Sequence, residues 1–136
     1  MIDGSDGAAG VALWDPPGWR QPTSALVRSL PRLLPAVGRR VRAAADVRSA
    51  LAATRPPGPH RHLNNIATAP DVRGTGYGRA LMVAGIDACD RDGVDAHLVC
   101  TRESTVPYYE SFGFAVTDAA TVPHGGPRLW SMVRHR

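Results

Sequence analysis

The feature that most constrains this fold is a glycine-rich turn between a strand-like run and a helical one. A strand is predicted over His60–Thr68, and its apolar part from Leu63 onwards leads into Pro70-Asp71-Val72-Arg73-Gly74-Thr75-Gly76-Tyr77-Gly78-Arg79. An amphipathic helix extends from there to about Asp92. The alternate glycines leave backbone N–H groups unshielded, and the first N–H groups of a helix have no partner within it. The helix dipole is positive at the same end. The sequence therefore predicts a phosphate-binding turn.

The spacing of the glycines separates the known phosphate-binding motifs. A dinucleotide fingerprint requires G-x-G-x-x-G, but Arg79 follows Gly78, so the third glycine is misplaced. A P-loop requires Gly-Lys-Ser/Thr, and this chain contains no lysine. The pattern that fits is Arg-x-x-Gly-x-Gly, at Arg73, Gly76 and Gly78.

Composition limits the classes of partner. The 136 residues carry a net charge of +4, but the arginines are scattered and no basic run is interleaved with aromatic residues, so no nucleic-acid partner is expected. Cys89 and Cys100 lie in apolar patterns typical of core residues, and no metal site is expected. No signal peptide or membrane-length apolar run is found, which predicts a cytoplasmic protein without a membrane partner.

The order of predicted elements indicates one α/β domain over residues 1–136. Residues 1–7 are expected to be a flexible start with a hairpin turn at Asp6-Gly7, before a strand at 8–14. Residues 19–59 are predicted to hold a helical insertion, broken at Pro31 and Pro35, and a proline-rich connector. Residues 60–136 then provide a strand-helix-strand unit, a short helix and two further strands.

A second motif follows one helix and one strand after the glycine turn. Tyr109, Gly113 and Phe114 form Tyr-x-x-x-Gly-Phe. In this order the two motifs resemble those of the GNAT superfamily of N-acetyltransferases. The segments Val11–Trp14, Val106–Tyr109 and Gly126–Met132 resemble the branch that contains puromycin N-acetyltransferase, and the similarity extends from about residue 6 to the end.

The resemblance implies a fold and a departure from it. The expected fold is a mixed central sheet flanked by helices, as in acyl-CoA N-acyltransferases. The first strand and helices that are usual in this superfamily are expected to be missing, so we expect the chain to be shortened at its N-terminus. The missing strands would expose a sheet edge or face, and this favours a homodimer.

The resemblance further implies acetyl-CoA as co-substrate, with no metal. Backbone groups of Ile66, Ala67 and Thr68 would pair with the pantetheine arm. The family's asparagine is absent, and Thr105 could make a similar hydrogen bond. The pyrophosphate would lie in the glycine turn and bind its backbone N–H groups, and the side chains of Arg73 and Arg79 would add positive charge. The residues of this predicted site are Arg73, Gly74, Thr75, Gly76, Tyr77, Gly78 and Arg79.

The implied chemistry is direct acetyl transfer to an amine. Tyr109 is the candidate general acid, since a phenol with a pKa near 10 keeps its proton at neutral pH. Val99 stands where relatives carry a glutamate, so His62, His97 or a water relay is left as the base. His62 is the histidine selected as the catalytic candidate.

Three functions stay open at this stage. The first is acetylation of a primary amine on a small molecule, such as an antibiotic or metabolite. The second is acetylation of a protein N-terminus or lysine, which predicts an open groove with acidic residues. The third is a truncated, non-catalytic acyl-CoA-binding or assembly module, which the short N-terminus and Val99 favour.

Overall fold

Six strands form one mixed sheet in the computed structural model, which describes residues 2–4, 7–19 and 40–136. The order across the sheet is β1-β2-β3-β4-β6-β5. The β3–β4 pair is parallel, and every other neighbouring pair is antiparallel. The prediction of a mixed α/β sheet is confirmed. The strands are β1 Ile2–Gly4, β2 Gly7–Asp15, β3 His60–Thr68, β4 Asp95–Cys100, β5 Ala115–Thr121 and β6 Arg128–Arg134.

Three α-helices and two short 3-10 turns connect the strands within the described ranges. Helix α2 ends at Gly93, whose φ of +66° is a left-handed conformation that favours glycine. None of these described helices is long and apolar enough to cross a membrane. The helices are α1 Arg40–Ala53, α2 Tyr77–Asp92 and α3 Val106–Glu110, and the 3-10 turns are Pro70–Val72 and Glu103–Thr105.

The core lies between helix α2 and one face of the sheet. Both cysteines are unpaired and buried there, as the sequence predicts. Helix and sheet approach closely where Trp14 of β2 faces Gly85 of α2, because a Cβ at Gly85 would overlap the indole ring. The fully or nearly fully buried members of the cluster are Leu63, Met82, Ile86, Cys89, Ala96, Leu98, Cys100, Phe114 and Met132.

The N-terminal residues differ from the prediction. The sequence predicts a flexible start over 1–7, whereas Ile2–Gly4 form strand β1 and pair antiparallel with β2, with Gly4 opposite Gly7. Glycine and aspartate are poor strand formers, so local propensity hides this strand. Its formation satisfies backbone groups along the edge of β2. The two residues between these strands lie outside the described ranges.

The predicted helical insertion at 19–59 is described only in its second part. Helix α1 covers Arg40–Ala53, and the proline-rich connector that follows it leads directly into β3. The first predicted helical segment, with its breaks at Pro31 and Pro35, lies outside the described residues.

Candidate active site

Strands β3 and β4 separate part-way along their length. Their parallel pairing ends at Leu63, which lies opposite Leu98. Beyond this point β3 runs on to Thr68 and pairs with β2, while β4 runs on to Cys100 and pairs with β6. Among the described residues, no strand pairs with the edge of 64–68 that faces β4. An extended ligand with amide groups can add to such an edge.

The three strand residues expected to contact pantetheine lie on this open stretch. Ala67 is exposed, and Ile66 and Thr68 are half-buried. The stretch ends directly before the glycine turn: Ala69 still donates its N–H to the carbonyl of Ala9 on β2 over 2.9 Å, and the 3-10 turn begins at the next residue, Pro70. The open edge and the turn therefore form one continuous surface.

The glycine-rich turn adopts the conformation that its composition predicts. Gly74 and Gly76 have φ of +79° and +96°, in the left-handed region that favours glycine. At either position an added Cβ would meet nothing within 4 Å, so the space above the turn is open. Thr75 closes the turn internally, because its hydroxyl donates to the carbonyl of Val72.

Helix α2 begins at this turn with three backbone donors that have no partner in the helix. The first helical bond of this turn joins the N–H of Ala80 to the carbonyl of Gly76 over 2.9 Å. The N–H groups of Tyr77, Gly78 and Arg79 precede this bond and lie at the N-terminus of the helix, which is the positive end of its dipole. This end of α2 can bind an anion.

The two arginines of the turn differ in their surroundings. The guanidinium carbon of Arg79 lies 5.2 Å from the ring centroid of Phe112, just after helix α3. This cation–π contact holds a positive charge between the turn and α3. Arg73 is exposed and makes no ion pair with a described residue.

Two residues near α3 occupy positions that sequence reasoning did not anticipate. The hydroxyl of Thr105 donates to the carbonyl of Arg102 over 2.7 Å, so its proton is used within its own 3-10 turn. The hydroxyl of Tyr108 lies 3.4 Å from where a Cβ of Gly78 would be, which brings it beside the glycine turn. Tyr108 is thus adjacent to the predicted anion site.

Tyr109 packs against the core at the end of β4. Its ring centroid lies 5.3 Å from that of Tyr108 and 6.4 Å from that of Phe114, both in edge-on arrangements. Burial raises the pKa of Tyr109, and neighbouring Cys100 and Tyr108 raise it further. Since Cys100 ends β4, the phenol lies near the point where β3 and β4 have separated. It stays protonated at neutral pH and can donate that proton.

His62 and His97 form the start of a hydrogen-bonded chain that runs across one face of the sheet, from β3 over β4 to β6. The Nδ1 atoms of the two histidines are 2.9 Å apart. Nε2 of His97 is 2.9 Å from Oγ of Ser131, and that hydroxyl donates to the backbone carbonyl of Thr54 over 2.8 Å. The sequence offers the two histidines as alternative bases, whereas the structure couples them.

The single proton of the Ser131 hydroxyl determines where the other protons lie. Because Ser131 donates to a carbonyl, it must accept from His97, whose proton is therefore on Nε2. Nδ1 of His97 is then an acceptor, so Nδ1 of His62 carries the proton between the two rings. Nε2 of His62 is left as a lone-pair nitrogen, and no described residue hydrogen-bonds to it.

Both histidines are neutral at pH 7. His97 is fully buried, and this burial, together with the neighbouring His62, His60 and Arg55, lowers its pKa to about 3. Burial also lowers the pKa of His62, and the nearby Arg55 cation lowers it further. A neutral His62 with a free Nε2 can accept a proton.

His62 faces a cleft of about 900 Å³ on the sheet face opposite α2. Val99, which stands where a glutamate is expected, lines the same cleft. Asp15 is its one acidic lining residue among those described, and Asn64 donates to that carboxylate over 3.3 Å. The cleft is lined by Asp15, Pro16, Gly18, Trp19, Arg48, Leu51, Ala52, Arg55, Pro56, Pro57, Gly58, Pro59, His60, His62, Asn64 and Val99.

Sequence reasoning missed Ser131 and Thr54. Ser131 is fully buried between apolar residues of β6, and a lone polar residue in such a strand is the signal that marks it. No comparable signal marks Thr54, because it contributes its backbone carbonyl. Among the described residues no group of three metal-ligating side chains occurs.

Comparison with known proteins matches these features to one family. The sequence matches the model of the acetyltransferase (GNAT) domain over residues 44–133, a range that contains the glycine turn, both histidines and Tyr109. The structure resembles that of a histone acetyltransferase HPA2 and related acetyltransferase from Corynebacterium glutamicum, with 27% identity and a TM-score of 0.64. The match covers 98% of this chain and 61% of that one, so the chain spans less than two thirds of its length.

Two more distant structures share the fold. Naa20 from Chaetomium thermophilum, solved with a bisubstrate analogue, is 17% identical with a TM-score of 0.61, and the match covers 98% of this chain and 63% of that one. Naa50 from Arabidopsis thaliana, solved with the analogue CoA-Ac-MVNAL, is 17% identical with a TM-score of 0.51. There the match covers 58% of this chain and 56% of the other.

Proposed function

Because the chain belongs to the GNAT family of acetyltransferases, we propose that it transfers an acetyl group from acetyl-CoA to a primary amine of a small molecule. The observation that carries this proposal is the opening between β3 and β4. It has an anion-binding turn at one end, the half-buried phenol of Tyr109 beside it and the neutral imidazole of His62 in the adjoining cleft. The resemblance to the branch of puromycin N-acetyltransferase supports a small-molecule acceptor.

The residues around the opening fit acetyl-CoA. The N–H groups of Tyr77, Gly78 and Arg79 would bind the pyrophosphate, and the open space above Gly74 and Gly76 leaves room for it. The unpaired edge of β3 at 66–68 would bind the amides of the pantetheine arm as an added strand. Arg73, Arg79 and Thr75 border this path, while Thr105 can contribute only as an acceptor. Acetyl-CoA supplies the acetyl group as a thioester.

Tyr109 is proposed to protonate the departing thiolate. Its pKa is raised by burial, so it enters the reaction protonated at any pH near neutrality. No described residue hydrogen-bonds to the Tyr109 hydroxyl, so its proton is available. Direct donation at this point would remove the cost of releasing an unprotonated thiolate into a partly buried site.

His62 is proposed to accept the proton of the amine at Nε2. The hydrogen-bonded chain through His97 and Ser131 ends at the carbonyl of Thr54, which cannot accept a proton at neutral pH. The chain therefore positions His62 and does not conduct the proton away. After the transfer, His62 returns its proton to solvent through the cleft.

The charge of the cleft favours a small molecule over a basic peptide. A groove for lysine-rich or N-terminal substrates is expected to carry several carboxylates, and the described cleft contains Asp15 alone. Arg48 and Arg55 would repel a basic segment. The third possibility, a non-catalytic acyl-CoA-binding module, predicts cofactor binding without turnover.

The proposal is tested with purified protein, acetyl-CoA and a panel of primary amines. Acetyl-CoA should raise the melting temperature, and at least one amine should release free thiol in step with acetylated product. Gly76→Val should abolish the shift, because a β-branched residue at a φ of +96° is strained and fills the anion site. Gly125→Val, in the loop between β5 and β6 at a φ of +80° and with nothing within 4 Å of its Cβ, carries the same backbone strain and is the matched control. A shift without turnover on any amine would support the binding module instead.

A further inference from the structure

The cleft that contains His62 has two cations that acetyl transfer itself does not require. Arg48 of α1 and Arg55, just after α1, both line it, with Asp15 as the one described acid. We propose that the acceptor amine carries an oxyanion, a carboxylate or a phosphate, which these two arginines bind. This inference rests on the proposed function, since it assigns the substrate class of the same site.

The two arginines lack carboxylate partners within the described structure. The ion pairs there involve Asp46, Asp90, Asp92 and Asp95, and none of them includes either arginine. The stretch from residue 16 to 45, part of which lies outside the described residues, contains no aspartate or glutamate at all. It therefore has no side chain that could neutralise the cleft.

The charges inside the cleft are arranged for an anion near the histidines. Asp15 lies opposite His62 in the pairing of β2 with β3, and its carboxylate accepts a hydrogen bond from the amide of Asn64, so two arginine cations face a single described acid in this cleft. Arg55 is close enough to His62 and His97 to lower the pKa of both imidazoles. An acceptor with its oxyanion on Arg55 and Arg48 would thus present its amine towards Nε2 of His62.

Arginine suits this task for reasons of geometry. A guanidinium binds a carboxylate or phosphate through two parallel N–H donors, and such charge-assisted pairs are stronger than neutral hydrogen bonds. Because Arg48 and Arg55 are both exposed, they keep water contact without a ligand and bear no large desolvation cost. The two guanidinium groups are therefore available to bind an anion, and they remain hydrated when no anion is bound.

The test uses acceptors matched in everything except the oxyanion. Phenylalanine is compared with phenethylamine, and phosphoethanolamine with ethanolamine, by kcat/KM for thiol release. The oxyanion-bearing member of a pair should be preferred by about 10- to 100-fold, the range expected for one to two charge-assisted hydrogen bonds. Arg48→Gln and Arg55→Gln should remove most of that preference, measured as the ratio of kcat/KM within each pair of acceptors. Arg91→Gln, an exposed arginine on α2, is the matched control.

A binding measurement separates this inference from the proposed function. Calorimetric titration with N-acetylphenylalanine and with its neutral amide needs no turnover. Binding of the acid in wild type and its loss in Arg55→Gln support the anion site even if no amine is acetylated, in which case only the proposed reaction fails. Equal binding of acid and amide, or equal kcat/KM within both acceptor pairs, would overturn the inference while leaving acetyl transfer intact.

Discussion

Nδ1 of His62 lies 2.9 Å from Nδ1 of His97, and this contact decides which nitrogen of His62 is basic. In a hydrogen bond between two Nδ1 atoms, one nitrogen must carry the proton and the other must accept it. The proton is placed on His62 because His97 donates its own proton to Ser131. A hydroxyl on β6 thereby selects the tautomer of a side chain on β3.

Ser131→Ala should weaken catalysis, because it removes the hydrogen bond that fixes the tautomers of His97 and His62. Without the acceptor, His97 can change tautomer and donate to His62, which would move the proton of His62 to Nε2. We expect kcat to fall by about 10- to 100-fold, part of what a general base contributes. The buried N–H and carbonyl left without partners should also cost about 1–3 kcal/mol in the free energy of unfolding.

Two controls distinguish positioning by Ser131 from a structural role. Ser131→Thr keeps a hydroxyl and should restore much of the activity. Nitrogen NMR of His62 should show the proton on Nδ1 in wild type and a mixture of tautomers in Ser131→Ala. An unchanged tautomer with reduced activity would contradict this account.

Stability should fall as the pH is lowered below the ordinary pKa of histidine. The pKa of native His97 is lowered to about 3, so below about pH 6.5 the unfolded chain binds a proton that the native chain does not. Its contribution is therefore complete above that value and is lost progressively towards pH 3, at up to about 1.4 kcal/mol per pH unit. Urea unfolding between pH 6.5 and pH 5 should show this slope, and His97→Gln should reduce it.

The fall of kcat/KM at low pH should reflect protonation of His62. Burial and Arg55 lower the pKa of His62, so the base stays unprotonated, and kcat/KM should hold, to a pH below that of an ordinary histidine. The profile is measured with an acceptor whose amine is unprotonated over the whole range. Arg55→Gln removes a cation from beside His62, so the midpoint should move to higher pH. A midpoint unaffected by this substitution would mean that another group titrates.

Gly85→Ala should destabilise the protein although alanine is the better helix former. Alanine would gain about 1 kcal/mol in helix propensity, but its Cβ would overlap the Trp14 indole and force α2 away from β2. Overpacking of this kind costs about 1–3 kcal/mol, so the clash outweighs the gain. Thermal unfolding should show a lower midpoint, with Gly58→Ala unchanged and Trp14→Phe partly rescuing the variant. The smaller ring also removes an indole N–H that is buried and has no hydrogen-bond partner among the described residues.

Features set by local sequence were predicted well. Strand β3 occupies the expected residues, His60–Thr68, and α2 ends at Gly93, because glycine marks the boundary directly. The left-handed conformations of Gly74 and Gly76 follow from the same property. The mixed sheet and the family follow from the order of the two motifs, while the homodimer and the individual cofactor contacts stay predictions.

Features set by long-range pairing were not predictable from the sequence. Ser131 and Thr54 are 77 residues apart in the chain, and only the register of β6 against β4 brings the serine beside His97. The coupling of His62 to His97 depends likewise on the parallel register of β3 and β4. Strand β1 escaped notice because its pairing with β2, rather than its composition, stabilises it.

Acetyl transfer that depends on Tyr109 is the central claim, and one measurement tests it most directly. Acetyl-CoA and a responsive amine are mixed with wild type or Tyr109→Phe, and free thiol and N-acetylated product are counted in the same sample by mass spectrometry. The account predicts equal amounts of both products with wild type, and a fall in rate of about 100-fold or more in the phenylalanine variant at unchanged affinity for acetyl-CoA. Thiol release without acetylated amine, or equal rates for the two proteins, would contradict it.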